Sequence, residues 1–535
     1  MTMQVLVIGL DGVSESILEP MLADGQLPSL AAIHDRGTTG PLESILPPWT
    51  PSAWPSLFTG VNPGKHGVYD FLHFDGYDWN IVNRTHVKEY AIWELLSERG
   101  FTSVVLNVPV THPPRSFDGV LVPGYVGPDH PACHPAEVEE LVGIGEDYAV
   151  YGSTLDSTAS DETIGDELER LVDLRKTAFC QLVTHSAPDF GFVQFQATDT
   201  VFHDCPDADE IIRSVFTAVD RAIGVILETC NPELVLVVSD HGMGRMEGYE
   251  FRVNDYLREH GYLETTPEGG GMPSWQSLAR ENTDAIADGA LTTTAKSALE
   301  LAARFGVTAQ RVGWLLRTLR LKHAVMDAIP VDVIRAGTEQ VDFAASMAYM
   351  RTRTEMGVRL NLKGREPTGV ISPAEYDAVR SEVITLLEAA TTPTDNPVFD
   401  AVIPREAVFN GPYLEDAPDI ITVPHEFNHF LVANIKGDIF GEPTEPWEHK
   451  RNGLVMASGQ CVDPHQSLGD AHLFDIAPTI LAAFGLPICN RMDGTPLPIV
   501  DQTERTAYPA FEPKGHVETN DALVEERLGA LGYLE

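Results

Sequence analysis

Short, mostly apolar runs recur along the chain, and each has the length of a β-strand. They lie at 4–10, 102–108, 189–197 and 234–239, with a shorter candidate at 119–122. A continuous apolar run such as that at 4–10 is typical of a parallel strand that is buried on both faces. Segments with apolar residues at helical spacing separate them, at 14–36 (broken at Gly25 and Pro28), 91–100, 162–183 and 211–230. The alternation predicts an α/β protein built on a mostly parallel sheet.

The pattern changes near residue 265, where a glycine triplet introduces a long helical stretch. We expect 265–337 to form a helical insertion and 125–185 to form a small helical insert within the core. The core domain is therefore predicted to be discontinuous, with the parts 1–264 and 338–505, and to be followed by an acidic tail or helix at 506–535. The second part contains a hairpin-like region at 346–362, helices at 373–390 and 473–484, and strands at 418–423 and 453–458.

The large net negative charge of the chain disfavours binding partners that are themselves strongly negative. The 535 residues include 79 acidic and 36 basic side chains, for a net charge of -43, and the acids are spread along the whole length. Such a uniformly acidic surface is typical of halophilic proteins, in which salt screens the self-repulsion. It argues against binding to a nucleic-acid polymer or an anionic membrane. A small phosphorylated substrate would need local positive charge, most simply from metal ions.

Cysteine usage and the N-terminus bear on the compartment. The six cysteines are scattered and form no CxxC motif, so neither a disulfide framework nor a cysteine zinc site is expected. The chain begins directly with a predicted strand, without a signal peptide or an apolar run long enough to span a bilayer. We expect a cytoplasmic protein. The pattern does not indicate an oligomeric state.

The segment 46–67, LPPWTPSAWPSLFTGVNPGKHG, places Thr50 at a junction between a loop and a helix. Pro47 and Pro48 keep the chain extended, whereas Pro51 suits the first turn of a helix. The N–H groups of such a turn favour an anion, so this position suits a nucleophile that attacks a phosphate. Taken alone, Thr50 is more simply explained as a helix N-cap.

Three aspartates, Asp11, Asp199 and Asp240, come at or just after the ends of predicted strands. The carboxyl edge of a parallel sheet is where α/β proteins place their sites. One such aspartate is most simply a cap, but three at matching positions point to a shared site. His203 follows Asp199 at the four-residue spacing that puts both on one helix face, and His241 follows Asp240 directly. Carboxylates and imidazoles in these pairs can bind a divalent metal.

This set of motifs resembles the alkaline phosphatase superfamily, and most closely the type I phosphodiesterase/nucleotide pyrophosphatase family. The matching elements are Asp11-Gly12, PPWTPSAWPSLFTG around Thr50, Asp199-x-x-x-His203, Ser239-Asp240-His241-Gly242, WEHKRNGL around His449, and Asp475-Ile476-Ala477-Pro478-Thr479. They cover about 1–260 and 340–500. The resemblance implies a three-layer α/β/α fold with a central, mostly parallel sheet and helical insertions.

The resemblance also implies a site with two divalent metal ions. Asp11, Asp240, His241 and the Thr50 oxygen would hold one ion, and Asp199, His203 and His449 would hold the other. Oxygen and nitrogen ligands without thiolates suit Zn²⁺ or Mn²⁺. Two such cations form a clamp for in-line displacement at phosphorus, in which attack by Thr50 gives a phospho-threonine. The implied enzyme is a hydrolase of phosphodiester or nucleotide pyrophosphate bonds.

One position departs from the family pattern, and it leaves the substrate open. Eukaryotic-type members carry an Asn three residues after the nucleophile, where it helps to hold a phosphate oxygen, but Ala53 stands there in this chain. Asn107 and Lys65 are the candidates to replace that contact. A phosphomonoesterase, a phosphonate hydrolase or a phosphosugar mutase on the same core is the alternative among enzymes, and a non-catalytic metal-binding scaffold is the alternative outside them. Sulfatase activity is disfavoured, because Thr50-Pro51-Ser52 does not fit the sulfatase nucleophile motif.

Overall fold

The computed structural model describes residues 3–144, 148–152, 159–266, 340–464, 466–513 and 524. Its strands are Val5–Leu10 (β1), Thr38–Glu43 (β2), Leu72–Asp75 (β3), Asp78–Ile81 (β4), Ser103–Leu106 (β5), Gly119–Val122 (β6), Phe190–Phe195 (β7), Leu234–Val238 (β8), Gly242–Arg245 (β9), Glu250–Arg252 (β10), Thr265–Thr266 (β11), Gln340–Val341 (β12), Ala348–Tyr349 (β13), Gly357–Leu360 (β14), Phe399–Pro404 (β15), Ile420–Pro424 (β16), Phe430–Val432 (β17), Phe440–Gly441 (β18), Trp447–Lys450 (β19), Asn452–Gly459 (β20), Ala471–His472 (β21), Ile488–Cys489 (β22) and Arg505–Thr506 (β23).

The α-helices are Glu15–Ala23 (α1), Pro28–Arg36 (α2), Thr50–Thr59 (α3), Pro63–His66 (α4), Ile92–Ser97 (α5), Val138–Val142 (α6), Asp161–Ser186 (α7), Ala197–Asp204 (α8), Asp209–Cys230 (α9), Val253–Glu259 (α10), Tyr376–Glu388 (α11) and Ile476–Ala483 (α12). Short 3-10 helices lie at Arg353–Glu355, Arg405–Ala407, Leu414–Asp416, His425–Phe427 and Leu473–Asp475. None of the helices in the described part of the chain has the length and apolar character needed to cross a bilayer.

A central sheet of eight strands organises the fold, in the order β21-β2-β20-β8-β1-β7-β5-β6. Strand β1 pairs in parallel with both β7 and β8, and every residue of these three strands is buried. Only β20 runs against its neighbours, β2 and β8. The mostly parallel sheet expected from the continuous apolar runs is therefore confirmed.

Helices cover both faces of this sheet, as two neighbouring positions of β7 show. A side chain at Gly191 would meet Phe179 of α7, whereas the next residue, Phe192, packs against Trp54 of α3. Because successive side chains of a strand point to opposite faces, α7 and α3 lie in different layers. The expected arrangement of helix, sheet and helix layers is confirmed.

Smaller sheets contain most strands of the later part of the chain, and one of them lies at the edge where β1, β7 and β8 end. Strands β13, β14, β16 and β15 form a four-stranded sheet, and β10 pairs with β17 and β18. Strand β19 pairs with β9, which directly follows β8, and sets His449 opposite Met243. This pairing brings a late segment to the carboxyl end of the central sheet.

The break predicted within 14–36 at Gly25 and Pro28 is confirmed, because α1 ends at Ala23 and α2 begins at Pro28. Other local predictions need correction. The stretch at 473–484 begins as a 3-10 turn before α12. Strand β2, whose sequence TTGPLE contains a glycine and a proline, was not predicted. The insertion at 265–337, apart from β11, and the tail beyond residue 513, apart from Val524, lie outside the described residues.

Candidate metal centre and active site

Asp11 directly follows β1, and its two carboxylate oxygens face different neighbours. One oxygen, Oδ2, accepts hydrogen bonds from Trp54 Nε1 and Gln194 Nε2, both at 2.8 Å. The other, Oδ1, accepts the Thr50 hydroxyl at 3.2 Å and lies 3.4 Å from His241 Nε2. The first oxygen is thus held in place while the second points into the cluster of acidic and histidine side chains.

Gly12 allows the aspartates of the three strand ends to approach one another. Its φ of +66° lies in the left-handed region, and a Cβ there would stand 2.8 Å from Asp199 Oδ1. Its N–H group donates to Asp240 Oδ1 at 3.4 Å. A residue with a side chain at this position would therefore push Asp199 away, which gives the Asp-Gly pair after β1 a structural reason.

His241 is oriented by its backbone surroundings. Its Nδ1 lies 3.0 Å from the carbonyl oxygen of Gly242, so this nitrogen carries the proton in the neutral ring. The lone pair of Nε2 then faces Asp11 Oδ1 and Asp240 Oδ2, each 3.4 Å away. Ser239 fixes this loop, because its hydroxyl accepts from the Val13 N–H group and donates to the His241 carbonyl, both at 2.7 Å.

Asp199 lies in the first turn of α8 and is approached by two histidines. His203, one turn further along α8, brings Nε2 to 3.6 Å from Asp199 Oδ1, and His449 Nε2 lies 3.4 Å from the same oxygen. His449 Nδ1 lies 3.1 Å from the carbonyl oxygen of Pro48, and this contact turns Nε2 towards Asp199. The four-residue spacing of Asp199 and His203 does place both side chains on one helix face, as expected.

The candidate ligand atoms form two overlapping groups. Those of Asp11, Asp240 and His241 lie within 4.8 Å of one another, and so do those of Asp199, His241 and His449. Within the described chain, Asp199 Oδ1, Asp240 Oδ2 and His449 Nε2 are buried atoms with no hydrogen-bond partner. Buried polar atoms are normally paired, so these unpartnered atoms fit a site for cations. A set of carboxylates and imidazoles without thiolates fits Zn²⁺ or Mn²⁺.

The electrostatics of the cluster favour added positive charge. Burial and the neighbouring carboxylate of Asp11 raise the pKa of Asp240 well above its usual range. Burial would lower the pKa of His241, but Asp240 and Asp11 raise it to about 10. Burial and the nearby His241 lower the pKa of His449 to about 4, so this ring is neutral and able to act as a ligand. Cations would relieve the repulsion between these buried carboxylates.

Thr50 is the first residue of α3, and it does not cap the helix. The N-cap position belongs to Trp49, whose backbone is extended, and no side chain caps this end. The Thr50 hydroxyl instead lies 3.2 Å from Asp11 Oδ1 and 3.4 Å from His241 Nε2. The interpretation of Thr50 as a simple N-cap is wrong, because its oxygen contacts the cluster. Ala53 is fully buried within the same helix.

The two candidates for the missing phosphate contact are engaged elsewhere. The amide of Asn107 donates to the backbone carbonyl of Gln194 at 3.0 Å and to its side-chain oxygen at 2.8 Å. Asn107 thus contacts the residue that holds Asp11. Lys65 Nζ hydrogen-bonds the Arg491 carbonyl and pairs with Asp493, and neither partner belongs to the cluster.

Sequence reasoning missed several residues that support the cluster. Trp54 and Gln194 orient Asp11, and Gln194 is the single polar side chain in the buried strand β7, which is a signal that could have found it. Glu445 contacts His203, and Arg353 contacts Glu445. No local pattern distinguishes Glu445 and Arg353, because their partners are distant in the sequence.

Comparison with solved structures identifies the fold. The chain is similar to phosphonoacetate hydrolase from Sinorhizobium meliloti 1021 in complex with phosphonoacetate, with a TM-score of 0.52 and 14% identity over 89% of this chain and 94% of that one. It is similar to wild-type alkaline phosphatase PafA, with a TM-score of 0.50 and 13% identity over 93% of this chain and 98% of that one. Human ectonucleotide pyrophosphatase/phosphodiesterase 5 matches with a TM-score of 0.47 and 13% identity over 92% and 97% of the two chains. No curated protein matches the chain at the significance required of a relative.

Fold and site together define the class: a phosphoesterase-type hydrolase with the alkaline phosphatase fold. The family model for type I phosphodiesterase / nucleotide pyrophosphatase matches residues 5–310, and the chain belongs to this family. The family is one of metal-dependent hydrolases, which agrees with the buried carboxylates and histidines at the sheet edge.

Proposed function

We propose that the protein hydrolyses phosphodiester or nucleotide pyrophosphate bonds with Thr50 as the nucleophile and a phospho-threonine as the intermediate. The position of the Thr50 hydroxyl carries this proposal. It lies 3.2 Å from Asp11 Oδ1 and 3.4 Å from His241 Nε2, at the start of α3, where two groups of metal-ligating side chains meet. A hydroxyl that serves only the packing of a helix would have no reason to face buried carboxylates.

The residues around Thr50 suit two divalent ions. One would be held by Asp11, Asp240, His241 and Thr50, and the other by Asp199, His203 and His449. Zn²⁺ or Mn²⁺ bound there would lower the pKa of the Thr50 hydroxyl and neutralise charge on the phosphate. His241 also lies within ligand distance of the second group, so both ions would be sensitive to it.

The side chains of the protein have distinct tasks in this reaction. Asp11 holds the Thr50 oxygen by accepting its hydrogen bond. Thr50 Oγ1 attacks phosphorus in line with the leaving group, the bond from phosphorus to the leaving oxygen breaks, the Thr50 hydroxyl proton ends on the leaving oxygen, and the phosphoryl group remains on Thr50. Water then attacks the same phosphorus, and one of its protons returns to the Thr50 oxygen as that oxygen is released. The positive end of the α3 helix dipole favours the negative charge of the phosphoryl group in both steps.

A second candidate is hydrolysis of a phosphomonoester or a phosphonate. Ala53 favours it, because the amide that would hold a phosphate oxygen is missing from α3. A solved structure with the same fold, that of phosphonoacetate hydrolase, contains phosphonoacetate. A phosphosugar mutase or a non-catalytic scaffold lacks a comparable observation among the described residues.

We infer a discontinuous core of 1–264 and 338–505, with 125–185 and 265–337 as insertions and 506–535 as a tail. The position of β20 supports it, since this late strand lies between β2 and β8 in the central sheet.

The even spread of the net charge of -43 supports a halophilic protein.

Metal content and paired substrates test the proposal. We expect two Zn²⁺ or Mn²⁺ ions per chain, loss of activity with a chelator, and faster hydrolysis of bis-p-nitrophenyl phosphate than of p-nitrophenyl phosphate. A strong preference for the monoester would favour the second candidate. A protein that binds no metal and hydrolyses neither compound would contradict both.

A further inference from the structure

Arg353 lies in a short 3-10 helix and joins two carboxylates near the cluster. Its guanidinium group contacts Glu445 Oε1 through Nη1 at 3.2 Å and Glu448 Oε2 through Nη2 at 3.0 Å. The Arg353 and Glu448 side chains are buried, and the Glu445 side chain is 26% exposed. The ring of Phe430 lies against the guanidinium group, 4.8 Å from its carbon.

Each of the two carboxylates reaches a different one of the two histidines, His203 and His449, that are proposed to bind the second ion. Glu445 Oε2 lies 3.1 Å from His203 Nδ1, the ring nitrogen that faces away from Asp199. Glu448 Oε1 accepts a hydrogen bond from the backbone N–H group of His449 at 2.9 Å. One guanidinium group is therefore connected to the ring of His203 and to the backbone of His449.

The segment that carries Arg353 is anchored on both sides of it. The hydroxyl groups of Thr352 and Thr354 both hydrogen-bond the carboxylate of Asp70, which is buried between α4 and β3. Two threonines that flank an arginine and share one carboxylate hold the backbone of residue 353 at a defined position. The side chain of Arg353 then reaches Glu445 and Glu448 from a fixed origin.

We propose that Arg353 is a positioning residue, which fixes His203 through Glu445 and His449 through Glu448 so that both can bind the second metal ion. This inference rests on the proposed function, because it takes these histidines as metal ligands. A carboxylate at Nδ1 sets the tautomer of a histidine whose Nε2 binds metal, and it orients the ring. Without Arg353, the carboxylates of Glu445 and Glu448 would repel each other and move away from His203 and His449.

The test is metal affinity rather than activity. Arg353→Met keeps the length of the side chain and removes its charge, and we expect one ion to bind 10- to 100-fold more weakly (roughly the range for such supporting residues), with the other ion unchanged. The affected ion is assigned by comparison with His449→Ala, which should lose the same one. Chelator competition and elemental analysis of the full chain measure both sites.

Arg351→Met is the matched control. Arg351 lies two residues away, is equally buried, and pairs with Glu355 rather than with Glu445 or Glu448. We expect it to bind both ions as the wild type does. Equal weakening of metal binding in Arg351→Met and Arg353→Met would overturn the proposal, because the effect would then come from the stability of the segment. Undiminished metal binding in Arg353→Met would also overturn it.

A second variant covers the case in which Arg353→Met does not fold. Glu445→Gln preserves shape and removes the charge beside His203, and it should weaken the same ion by a smaller factor. Unchanged affinity in this variant would overturn the proposal. A wild-type chain that binds fewer than two ions would contradict the proposed function itself. A wild-type chain that binds two ions, with Arg353→Met and Glu445→Gln binding them equally tightly, would contradict only the role of Arg353.

Discussion

The imidazole rings of His241 and His449 are stacked, with centroids 3.6 Å apart and planes inclined by 17°. His241 comes from the loop after β8 and His449 from β19, and the pairing of β19 with β9 brings them together. His241 belongs to both groups of ligand atoms, whereas His449 belongs to one. The two halves of the site therefore meet at this ring pair.

This arrangement predicts different metal losses for the two histidines. His449→Ala should lose one of two bound ions, because its Nε2 faces only Asp199. His241→Ala should lose one ion and weaken the other by about 10-fold or more, since its ring contacts both groups. Metal content after dialysis measures the difference. His34→Ala, on an exposed ring of α2, should keep both ions. Equal losses in the two site variants would contradict the overlap of the groups.

A variant of Asn107 distinguishes a role in positioning Asp11 from a direct contact with the substrate. Asn107→Ala removes the hydrogen bonds to Gln194, which in turn holds Asp11. We expect kcat to fall about 10-fold with little change in KM, and stability to fall by about 1–3 kcal/mol because a buried partner is left unpaired. Steady-state kinetics and denaturant unfolding measure both. An increase in KM at unchanged kcat would instead support the contact with phosphate suggested by its place after a strand.

Asp70 makes stability depend on pH. Burial raises its pKa from 3.8 to about 6, against the hydrogen bonds from Thr352 and Thr354. The folded protein therefore takes up this proton more readily than the unfolded chain, and the resulting stability is full below about pH 4 and is lost as the pH rises through about 6. In chelator, the free energy of unfolding should fall by roughly 3 kcal/mol more in the wild type than in Asp70→Asn across this range. Parallel pH profiles would contradict the shifted pKa.

Salt should stabilise the protein. With 79 acidic and 36 basic residues, the folded chain repels itself at low ionic strength. Raising KCl from about 0.1 M to about 2 M shortens the screening length to less than about 3 Å. We expect the Tm to rise by several degrees, with and without chelator. A Tm that falls or stays constant with KCl would contradict a halophilic protein.

The centre of the fold could be predicted because β1, β7 and β8 are buried on both faces and therefore consist almost entirely of apolar residues. Strand β2 could not, because its sequence contains Gly40 and Pro41 and its strand character comes from pairing with β20. Pairings between distant segments leave little local signal.

The same distinction applies to the site. Aspartates at strand ends can be predicted, since the carboxyl ends of parallel strands share one edge of the sheet. The contacts of Gln194 with Asp11 and of Glu445 with His203 are tertiary, so they emerge only from the structure. Lys65 of α4 also pairs with Asp493, and its position in the sequence did not indicate this contact.

Thr50 carries the central claim, and one comparison tests it most directly. Hydrolysis of bis-p-nitrophenyl phosphate by Thr50→Ala and Thr50→Ser should be measured beside the metal content of each variant. We expect Thr50→Ala to lose at least about 10³-fold in kcat while its metals stay largely bound, because the attacking oxygen is gone but Asp11, Asp240 and His241 remain. Thr50→Ser, which keeps a hydroxyl, should retain measurable turnover. Activity of Thr50→Ala close to that of the wild type, with both ions bound, would show that Thr50 is not the nucleophile.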